Sequence, residues 1–155
     1  MEAEGRWRGW QNAERYDHFV RHHAIYGWLN EALAERAELG GATRVLDLGC
    51  GTGATTASVL SRIRPDAEVL GVDASPEMIE VARANTLDPR ARFVVAPAAS
   101  LAEVARGPFD RVLSNAAFWQ FPEGESVLAQ LAERVPRGGS FTFNVPSERR
   151  PEARG

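Results

Sequence analysis

Short apolar runs rich in β-branched residues alternate with helical segments through most of this chain. The apolar runs lie at residues 44–48, 69–72, 92–96, 111–113 and 141–145, and the helical segments lie near 54–63, 76–84, 100–105 and 126–135. Such alternation predicts a parallel sheet with helices on both faces. Runs with few polar interruptions also fit strands that are buried on both sides. We therefore predict an α/β fold.

A further helical pattern precedes the first predicted strand. It begins at Asn12, which can act as an N-cap, and it ends at Gly40-Gly41, with a candidate break near Gly27. We divide the chain into an N-terminal arm at residues 1–11, a helical cap at 12–41, a core at 42–146 and a polar tail at 147–155.

Composition narrows the class of protein. The chain has 155 residues, 44% of them hydrophobic, which fits one domain. No apolar run approaches the ~20 residues that span a bilayer, and the first residues lack the apolar core of a signal peptide, so we expect a cytoplasmic protein without a membrane partner. The single cysteine, Cys50, excludes an intrachain disulfide and a cysteine-cluster metal site, and we predict no metal. A net charge of −3 with scattered arginines argues against a nucleic-acid partner.

The first predicted strand runs directly into a glycine-rich turn and then a helix, in the sequence VLDLGCGTGATT. Gly49, Gly51 and Gly53 let the backbone turn tightly and approach a ligand, because none of them carries a Cβ. The helix that follows directs its unpaired N–H groups toward the same place. The turn predicts a nucleotide-like ligand, and a structural turn without a ligand is the alternative.

Two acidic residues narrow the choice of ligand. The spacing G-x-G-x-G differs from the dinucleotide fingerprint, and Asp47 precedes the turn at a place where a pyrophosphate would be repelled. The same carboxylate suits a ligand with a cationic amino-acid end, which favours S-adenosylmethionine over NAD. Asp73, at the end of the second strand, can accept hydrogen bonds from both ribose hydroxyls. Its alternative role is to precede the helix that Ser75 caps and Pro76 begins.

Four segments together resemble a known family: VLDLGCGTG, GVDASPEMIEVA, FDRVLSNAAF and RVPRGGSFTF. In this order they are similar to the successive motifs of class I S-adenosylmethionine-dependent methyltransferases, and most of all to the small-molecule branch of trans-aconitate methyltransferase-like proteins. The resemblance covers residues 16–145. It implies a Rossmann-like sheet of strand order 3-2-1-4-5. It also implies methyl transfer from S-adenosylmethionine to an oxygen, nitrogen or carbon of a small molecule, with S-adenosylhomocysteine as product.

The same resemblance implies which residues hold the cofactor. The glycine turn and the residues beside it would surround the methionine part, with Tyr16 closing over its carboxylate. Asp73 would hold the ribose, while Ala74 and Met78 pack on the adenine. Asn115-Ala116 would lie beside the methyl-bearing sulfur. The full set of expected cofactor-binding residues is Tyr16, Asp47, Gly49, Cys50, Gly51, Asp73, Ala74, Met78, Ala98, Asn115 and Ala116.

The segment after the third strand departs from the family pattern. The family usually has an acid there that hydrogen-bonds the adenine amino group, whereas the sequence FVVAPAASL places Pro97 at that position. Proline has neither a carboxylate nor an N–H group. The backbone N–H of Ala98 and the hydroxyl of Ser100 are the remaining candidates, so we expect looser recognition of adenine.

The fifth strand is a second departure. The family's sheet normally has seven strands, whereas the residues after Val145 are too few and too polar to supply strands six and seven. Strand five would then be an uncovered edge, which proteins usually protect. We expect a homodimer contact, another partner chain, an exchanged segment or an omitted C-terminal region to cover it.

The segment AAFWQFPEG, after the fourth strand, is expected to border the acceptor site. Phe118 and Trp119 are its candidate residues, with ordinary packing as the alternative. His22 is a candidate base, although methyl transfer requires none because the sulfonium is already activated. The sequence here lacks the two prolines of the N-P-P-Y tetrad that is common in base-methylating enzymes. Two rival functions stay open: a non-catalytic cofactor-binding or scaffold protein that pairs with another chain, and a nicotinamide-dependent oxidoreductase.

Overall fold

A five-stranded parallel sheet organises the chain, whose computed structural model describes residues 9–146. The first eight residues of the predicted arm and the predicted tail at 147–155 lie outside the described residues. The strand order is β3-β2-β1-β4-β5, which confirms the predicted Rossmann-like α/β fold. The strands are β1 (Arg44–Leu48), β2 (Glu68–Asp73), β3 (Ala91–Val95), β4 (Arg111–Ser114) and β5 (Ser140–Phe143).

Helices connect the strands and precede the sheet. Single turns of 3-10 helix lie at Leu39–Gly41, Ala98–Ser100 and Phe118–Gln120. The pattern-based bounds of the core helices hold to within three residues at each end. The α-helices are α1 (Trp10–His22), α2 (Ala24–Arg36), α3 (Ala54–Leu60), α4 (Pro76–Asn85), α5 (Leu101–Val104) and α6 (Gly124–Arg134).

The N-terminal helical region differs from the prediction in two places. α1 begins after Gly9, so Asn12 lies inside the helix and is not its N-cap. The break falls at His23 and not near Gly27, because His23 is extended and ends α1. Its backbone N–H and its ring Nδ1 both lie within hydrogen-bond distance of the carbonyl oxygen of Phe19, at 3.1 and 2.8 Å. A side chain that bonds a carbonyl oxygen in the last turn of a helix stabilises that end of the helix.

The entry to α4 confirms its predicted cap. The hydroxyl of Ser75 accepts a hydrogen bond from the N–H of Met78 at 3.2 Å, and Pro76 occupies the first helical position. An N-cap of this kind stabilises a helix by about 1 kcal/mol. It fixes the direction in which the chain leaves β2, and therefore the position of Asp73 at the end of that strand.

The core lies on both faces of β1, because successive side chains of a strand point to opposite faces. Val45 packs on one face with Leu33 of α2 and Val59 of α3. Leu46 and Leu48 pack on the other face, among side chains from the region of α5 and α6. Each such aliphatic side chain contributes about 1.5–3 kcal/mol through its burial. Asp47 follows the alternation and faces the α3 side, which decides its role below.

Strand β5 forms one edge of the sheet within residues 9–146. Phe143 at its end is 43% exposed, and Val145 just beyond it is 58% exposed. The expectation that another polypeptide segment covers this edge stays a prediction, as do the segment boundaries at residues 11, 41 and 146. None of the helices in the described part of the chain has the length and apolarity needed to cross a membrane.

Candidate functional site

A cavity of about 720 Å³ opens at the carboxyl ends of the strands. This is the edge where open parallel sheets bind their ligands, and the volume suits a small molecule. The walls come from the turn after β1, the end of β2, the segment after β3, the loop after β4, and helices α1 and α2. The expected site residues that line it are Tyr16, Gly49, Gly51, Asp73, Ala74, Met78, Ala98, Asn115, Ala116 and Trp119.

The glycine turn is locked onto the neighbouring strand. The N–H groups of Gly49 and Cys50 both donate to the carbonyl oxygen of Val72, at 2.7 and 3.0 Å. Gly49 has a φ of +74°, and a Cβ on it would lie 2.6 Å from the Cβ of Ala117. Gly51 has a φ of +53°, and a Cβ on it would lie 3.3 Å from the Tyr16 ring. Both positions therefore require glycine, for the backbone conformation and for the close approach of other elements.

Asp73 is fixed by two backbone groups on either side of it. Its Oδ2 accepts from the N–H of Gly51 at 2.9 Å, and its Oδ1 accepts from the N–H of Ser75 at 2.9 Å. Burial nevertheless raises the pKa of this carboxyl, and the two N–H groups only partly oppose that shift. An ionised carboxylate has about four acceptor positions, so both oxygens can still accept from hydroxyl groups in the cavity.

Asp47 lies beneath the turn and does not line the cavity. It is fully buried, and the hydroxyl of Thr56 donates to its Oδ2 at 2.6 Å. Its Oδ1 has no hydrogen-bond partner among the described residues. Burial raises the pKa of this carboxyl to about 7, the Thr56 hydrogen bond opposes the shift, and the charge of Asp73 adds to it. Burial thus favours the protonated form of Asp47, which the sequence did not indicate.

Tyr16 brings helix α1 against the glycine turn. Burial, followed by the nearby Tyr26 and Asp73, raises the pKa of its phenol to about 12. The phenol therefore keeps its proton at neutral pH and can act as a hydrogen-bonding group but not as a base. Tyr26 of α2 also lines the cavity, so both helices of the cap contribute a tyrosine.

A chain of hydrogen-bonded side-chain amides, here called the amide relay, links the cap to the loop after β4. It begins at Asn30, a buried residue of α2. The Oδ1 of Asn30 accepts from the hydroxyl of Thr55 at 2.8 Å and from the Nδ2 of Asn115 at 2.5 Å. The Oδ1 of Asn115 in turn accepts from the Nδ2 of Asn144, at 2.6 Å.

The relay ends on the backbone of Ala116. The Oδ1 of Asn144 accepts from the N–H of Ala116 at 2.5 Å, and the Nε2 of Gln120 donates to its carbonyl oxygen at 2.8 Å. Ala116 has a φ of +52°, a conformation that costs an alanine roughly 1–2 kcal/mol. The hydrogen bonds at both ends hold it there. The side chain of Asn115 is engaged at both its oxygen and its nitrogen, so it supports the loop and is not placed to act as a base.

The loop after β4 supplies an aromatic part of the cavity wall. Trp119 and Phe121 line the cavity, and Trp119 is 51% exposed. Phe118 does not line it: its ring packs against Phe141 and Phe143 of β5, with centroid distances of 5.3 and 4.9 Å. The ordinary-packing alternative therefore describes the observed position of Phe118, while Trp119 faces the cavity as expected.

Two further expected residues lie away from the cavity lining. His22 is exposed, stacks on His18, and places its Nδ1 2.7 Å from the carbonyl oxygen of His18. The side chain of Cys50 is buried with Ile79 and Phe93, and burial raises the pKa of its thiol. Neither side chain is positioned to touch a molecule in the cavity.

Sequence reasoning missed several residues that shape the site. Tyr26 is not among the expected site residues, and its neighbour Ile25 is 61% exposed, so hydrophobicity alone does not mark the face of this helix that meets the cavity. The one available signal for this part of the site is Asn30, which lies one helical turn before the buried Leu33. An amide on a buried helix face must find hydrogen-bond partners in other elements. The lining residues that no expectation covered are Tyr26, Leu48, Val72, Ser75, Ala96 and Ala99, whereas Pro97, Ser100 and residues 117 and 120–123 belong to segments that were expected at the cavity.

A Rossmann-like sheet with a cavity beside a glycine turn, and an acid at the end of the second strand, fits the class of S-adenosylmethionine-dependent methyltransferases. Residues 45–139 match the family model described as "Methyltransferase domain", which is more than half of the chain, and the chain belongs to that family. This membership confirms that the four sequence segments resemble class I S-adenosylmethionine-dependent methyltransferases for a reason of common family.

Relatives with established names are similar over most of this chain. A trans-aconitate 2-methyltransferase of Methylobacterium radiotolerans is 38% identical over 74% of this chain and 42% of its own length. A trans-aconitate 2-methyltransferase of Deinococcus radiodurans is 40% identical over 67% of this chain and 38% of its own length. The structure of the YcgJ protein from Bacillus subtilis is similar with a TM-score of 0.65 and 26% identity, over 75% of this chain and 49% of that one. The chain thus spans less than half the length of each of these proteins.

Proposed function

We propose that this chain binds S-adenosylmethionine in the cavity and transfers its methyl group to an oxygen, nitrogen or carbon of a small molecule. One observation carries the proposal: the carboxylate of Asp73 lies next to the glycine turn, where the N–H groups of Gly51 and Ser75 hold it in place. Membership of the methyltransferase family and the names of the relatives support the same activity.

The residues present fit the cofactor in three respects. Asp73 offers acceptor positions suited to ribose hydroxyls. Gly49 and Gly51 line the cavity without side chains of their own, and the Tyr16 ring beside Gly51 is suited to contact the methionine part. Ala74 and Met78 offer an apolar surface for the base.

The cofactor supplies, when bound, a methyl group activated by a sulfonium. The chain's own residues then have to orient the acceptor and exclude water, which is where alignment contributes to the rate. The amide relay holds the Asn115-Ala116 loop rigidly at the edge of the cavity. The Tyr16 phenol remains protonated, so it binds and orients without taking up a proton.

The aromatic wall is the proposed acceptor side. Trp119 and Phe121 line it from the loop after β4, with the Phe121 ring beside Gly49, and Tyr26 completes the wall from the cap. Asp73 and Glu123 are the charged side chains among the described residues that line the cavity, and neither would attract an anion such as trans-aconitate. We therefore propose a small-molecule acceptor, the class to which the relatives' acceptor belongs, but not trans-aconitate itself.

The second candidate is a cofactor-binding or scaffold protein without catalysis, and one observation favours it. The exposed Phe143 and Val145 at the free edge of β5 suit a contact with another polypeptide. In that case cofactor binding would be retained while turnover would require the partner. A nicotinamide-dependent oxidoreductase is the third candidate, and the G-x-G-x-G spacing of the turn disfavours it.

Calorimetric titration of the purified chain with S-adenosylhomocysteine, and with NAD as the control, tests the proposal. We expect saturable binding of S-adenosylhomocysteine alone. Binding of NAD in preference would establish the oxidoreductase alternative. Binding of neither ligand would refute the proposed site. Labelled methyl transfer to a panel of small acceptors then separates the enzyme from the scaffold, because only the enzyme turns over.

A further inference from the structure

We propose that Asn85 is a positioning residue for cofactor binding, because its side chain holds helix α1, and Tyr16 with it, against the glycine turn. The inference rests on the proposed function. Asn85 is the last residue of α4 and does not line the cavity. Its effect on a bound molecule is therefore exerted through Tyr16, which does line it.

The amide of Asn85 links the two elements that meet at the Tyr16 ring. Its Nδ2 donates to the Oδ1 of Asp17 in α1 at 3.0 Å and to the carbonyl oxygen of Thr52 in the glycine turn at 3.2 Å. An amide nitrogen carries two hydrogens, so both bonds can form at once. Asp17 follows Tyr16 in the sequence, and Thr52 follows Gly51. The link thus joins the neighbours of the two residues that face each other at this wall of the cavity.

The end of α4 gives this link a firm support. A Cβ on Gly53 would lie 3.2 Å from the Oγ1 of Thr86 and 3.4 Å from the Cβ of Ala82, so this end of the helix packs closely against the glycine turn. The other end of the helix is fixed as well, because the N–H of Ser75 donates to Asp73. The last residue of α4 therefore offers α1 a fixed point of attachment.

Helix α1 buries few apolar side chains of its own. Ala13 and Val20 are its buried residues, while Trp10 is 50% exposed and Phe19 is 40% exposed. Since burial of apolar surface is the dominant favourable term in packing, α1 is held weakly by that term. A polar link to α4 then contributes a substantial share of the free energy that keeps α1 in place.

Loss of the link should weaken ligand binding without unfolding the sheet. When α1 is displaced, Tyr16 no longer lies beside Gly51, and the fraction of the protein that is competent to bind falls. The apparent dissociation constant rises in proportion to that fall. A hydrogen bond of this kind changes an equilibrium by a factor of about two to ten. We therefore expect Asn85→Ala to weaken binding of S-adenosylhomocysteine by about two- to tenfold.

Calorimetric titration of the full chain and its variants with S-adenosylhomocysteine tests the inference. Glu80→Ala is the control, because it removes an exposed side chain from the same helix and should bind as the unmodified chain does. Equal affinity of Asn85→Ala and the unmodified chain would overturn the inference and leave the proposed function intact. If the unmodified chain does not bind the ligand, the proposed cofactor site itself is wrong.

Two variants of Asp17 examine the other half of the link. Asp17→Ala removes the acceptor and should weaken binding to about the same extent as Asn85→Ala. Asp17→Asn keeps an oxygen that can accept from the Asn85 amide, so its affinity should stay within about twofold of the unmodified chain. Equal weakening in Asp17→Ala and Asp17→Asn would mean that the charge of Asp17 matters and the hydrogen bond does not, which contradicts the inference.

A double-mutant cycle with Tyr16 separates positioning from a general effect on structure. In a Tyr16→Ala background, α1 has no ring to place beside Gly51, so adding Asn85→Ala should change the affinity by less than about twofold. A loss as large as in the unmodified background would mean that Asn85 acts by another route, and the inference would then be wrong. Each titration is run well below the thermal unfolding midpoint of the variant, so that only folded protein is compared.

Discussion

The hydroxyl of Thr56 donates to the buried carboxyl of Asp47 at 2.6 Å, and this is the only hydrogen bond that the Asp47 side chain makes among the described residues. A single hydrogen bond is a small compensation for complete burial of a carboxylate. The pKa of about 7 follows from that imbalance. Asp47 thus links the stability of the glycine turn to pH.

We predict that the free energy of unfolding of the ligand-free protein falls as pH rises from about 4 to above 7. Between the ordinary pKa of 3.8 and the folded value of about 7, the folded state binds more protons than the unfolded state. Stability therefore decreases with pH in this window, by at most about 4 kcal/mol for this one group. Urea denaturation at pH 5 and pH 8 measures the change.

Asp47→Asn is the matched control for this prediction. The amide keeps an oxygen for the Thr56 hydroxyl and cannot ionise, so the variant should lose much less stability between the two pH values. The raised pKa of Asp73 contributes a slope of the same sign to both proteins. Equal losses in the two proteins would show that Asp47 does not titrate in this range.

The second prediction concerns Asp73, which combines a structural and a ligand-binding role. Asp73→Ala should weaken binding of S-adenosylhomocysteine by about 1.5–3 kcal/mol, the usual loss for a hydrogen bond to a charged group. Calorimetric titration measures the loss of affinity. Thermal unfolding shows whether the variant stays folded without the hydrogen bonds from Gly51 and Ser75 to the carboxylate. Asp66→Ala removes an exposed acid that pairs with Arg64 and should leave the affinity unchanged. An unchanged affinity in folded Asp73→Ala would place the ribose elsewhere.

The sheet was predictable because its determinants are local in the sequence. Apolar runs reveal the strands, and Ser75 followed by Pro76 reveals the start of α4, since a cap acts within one turn. The glycine turn and Asp73 were predictable for the same reason, as they adjoin strand ends.

The rest of the site depends on contacts that the sequence does not place together. Asn30 and Asn115 are 85 positions apart, and no periodicity indicates that their side chains meet. The face of β1 that Asp47 occupies follows from the alternation of the strand, yet the depth of its burial depends on how α3 packs. The break at His23 depends on a ring that reaches a backbone carbonyl, which no local pattern marks.

The third prediction tests the requirement for glycine in the turn. Gly49→Ala should destabilise the protein by about 2 kcal/mol or more, because it combines a positive φ with overpacking against Ala117. Chemical denaturation measures the loss. Adding Ala117→Gly should recover only the part that comes from overpacking, since the backbone strain at Gly49 remains.

Gly40→Ala is the control for this series. A Cβ on Gly40 would meet nothing within 4 Å, and its φ is not positive, so the variant should change stability by less than about 0.5 kcal/mol. If Gly49→Ala were as mild as Gly40→Ala, the turn would not pack against the loop after β4 as described.

The amide relay gives the fourth prediction. Asn144→Ala leaves the Oδ1 of Asn115 and the N–H of Ala116 without their partner, and because both groups are only partly buried each lost hydrogen bond should cost about 0.5–1.5 kcal/mol. Asn115→Ala removes the other half of the same contact, so the double variant should lose less than the sum of the two single losses. A double-mutant cycle should give a coupling energy of about 0.5–3 kcal/mol.

A distant pair shows whether this coupling is specific to the relay. Ser61 bonds the carbonyl oxygen of Ser58 and shares no partner with Asn144, so Ser61→Ala and Asn144→Ala should add to within about 0.5 kcal/mol. Additivity in the Asn115–Asn144 cycle as well would mean that the two amides do not act together. Coupling confined to the relay would mean instead that the backbone of Ala116, at the edge of the cavity, depends on a residue 28 positions further along the chain.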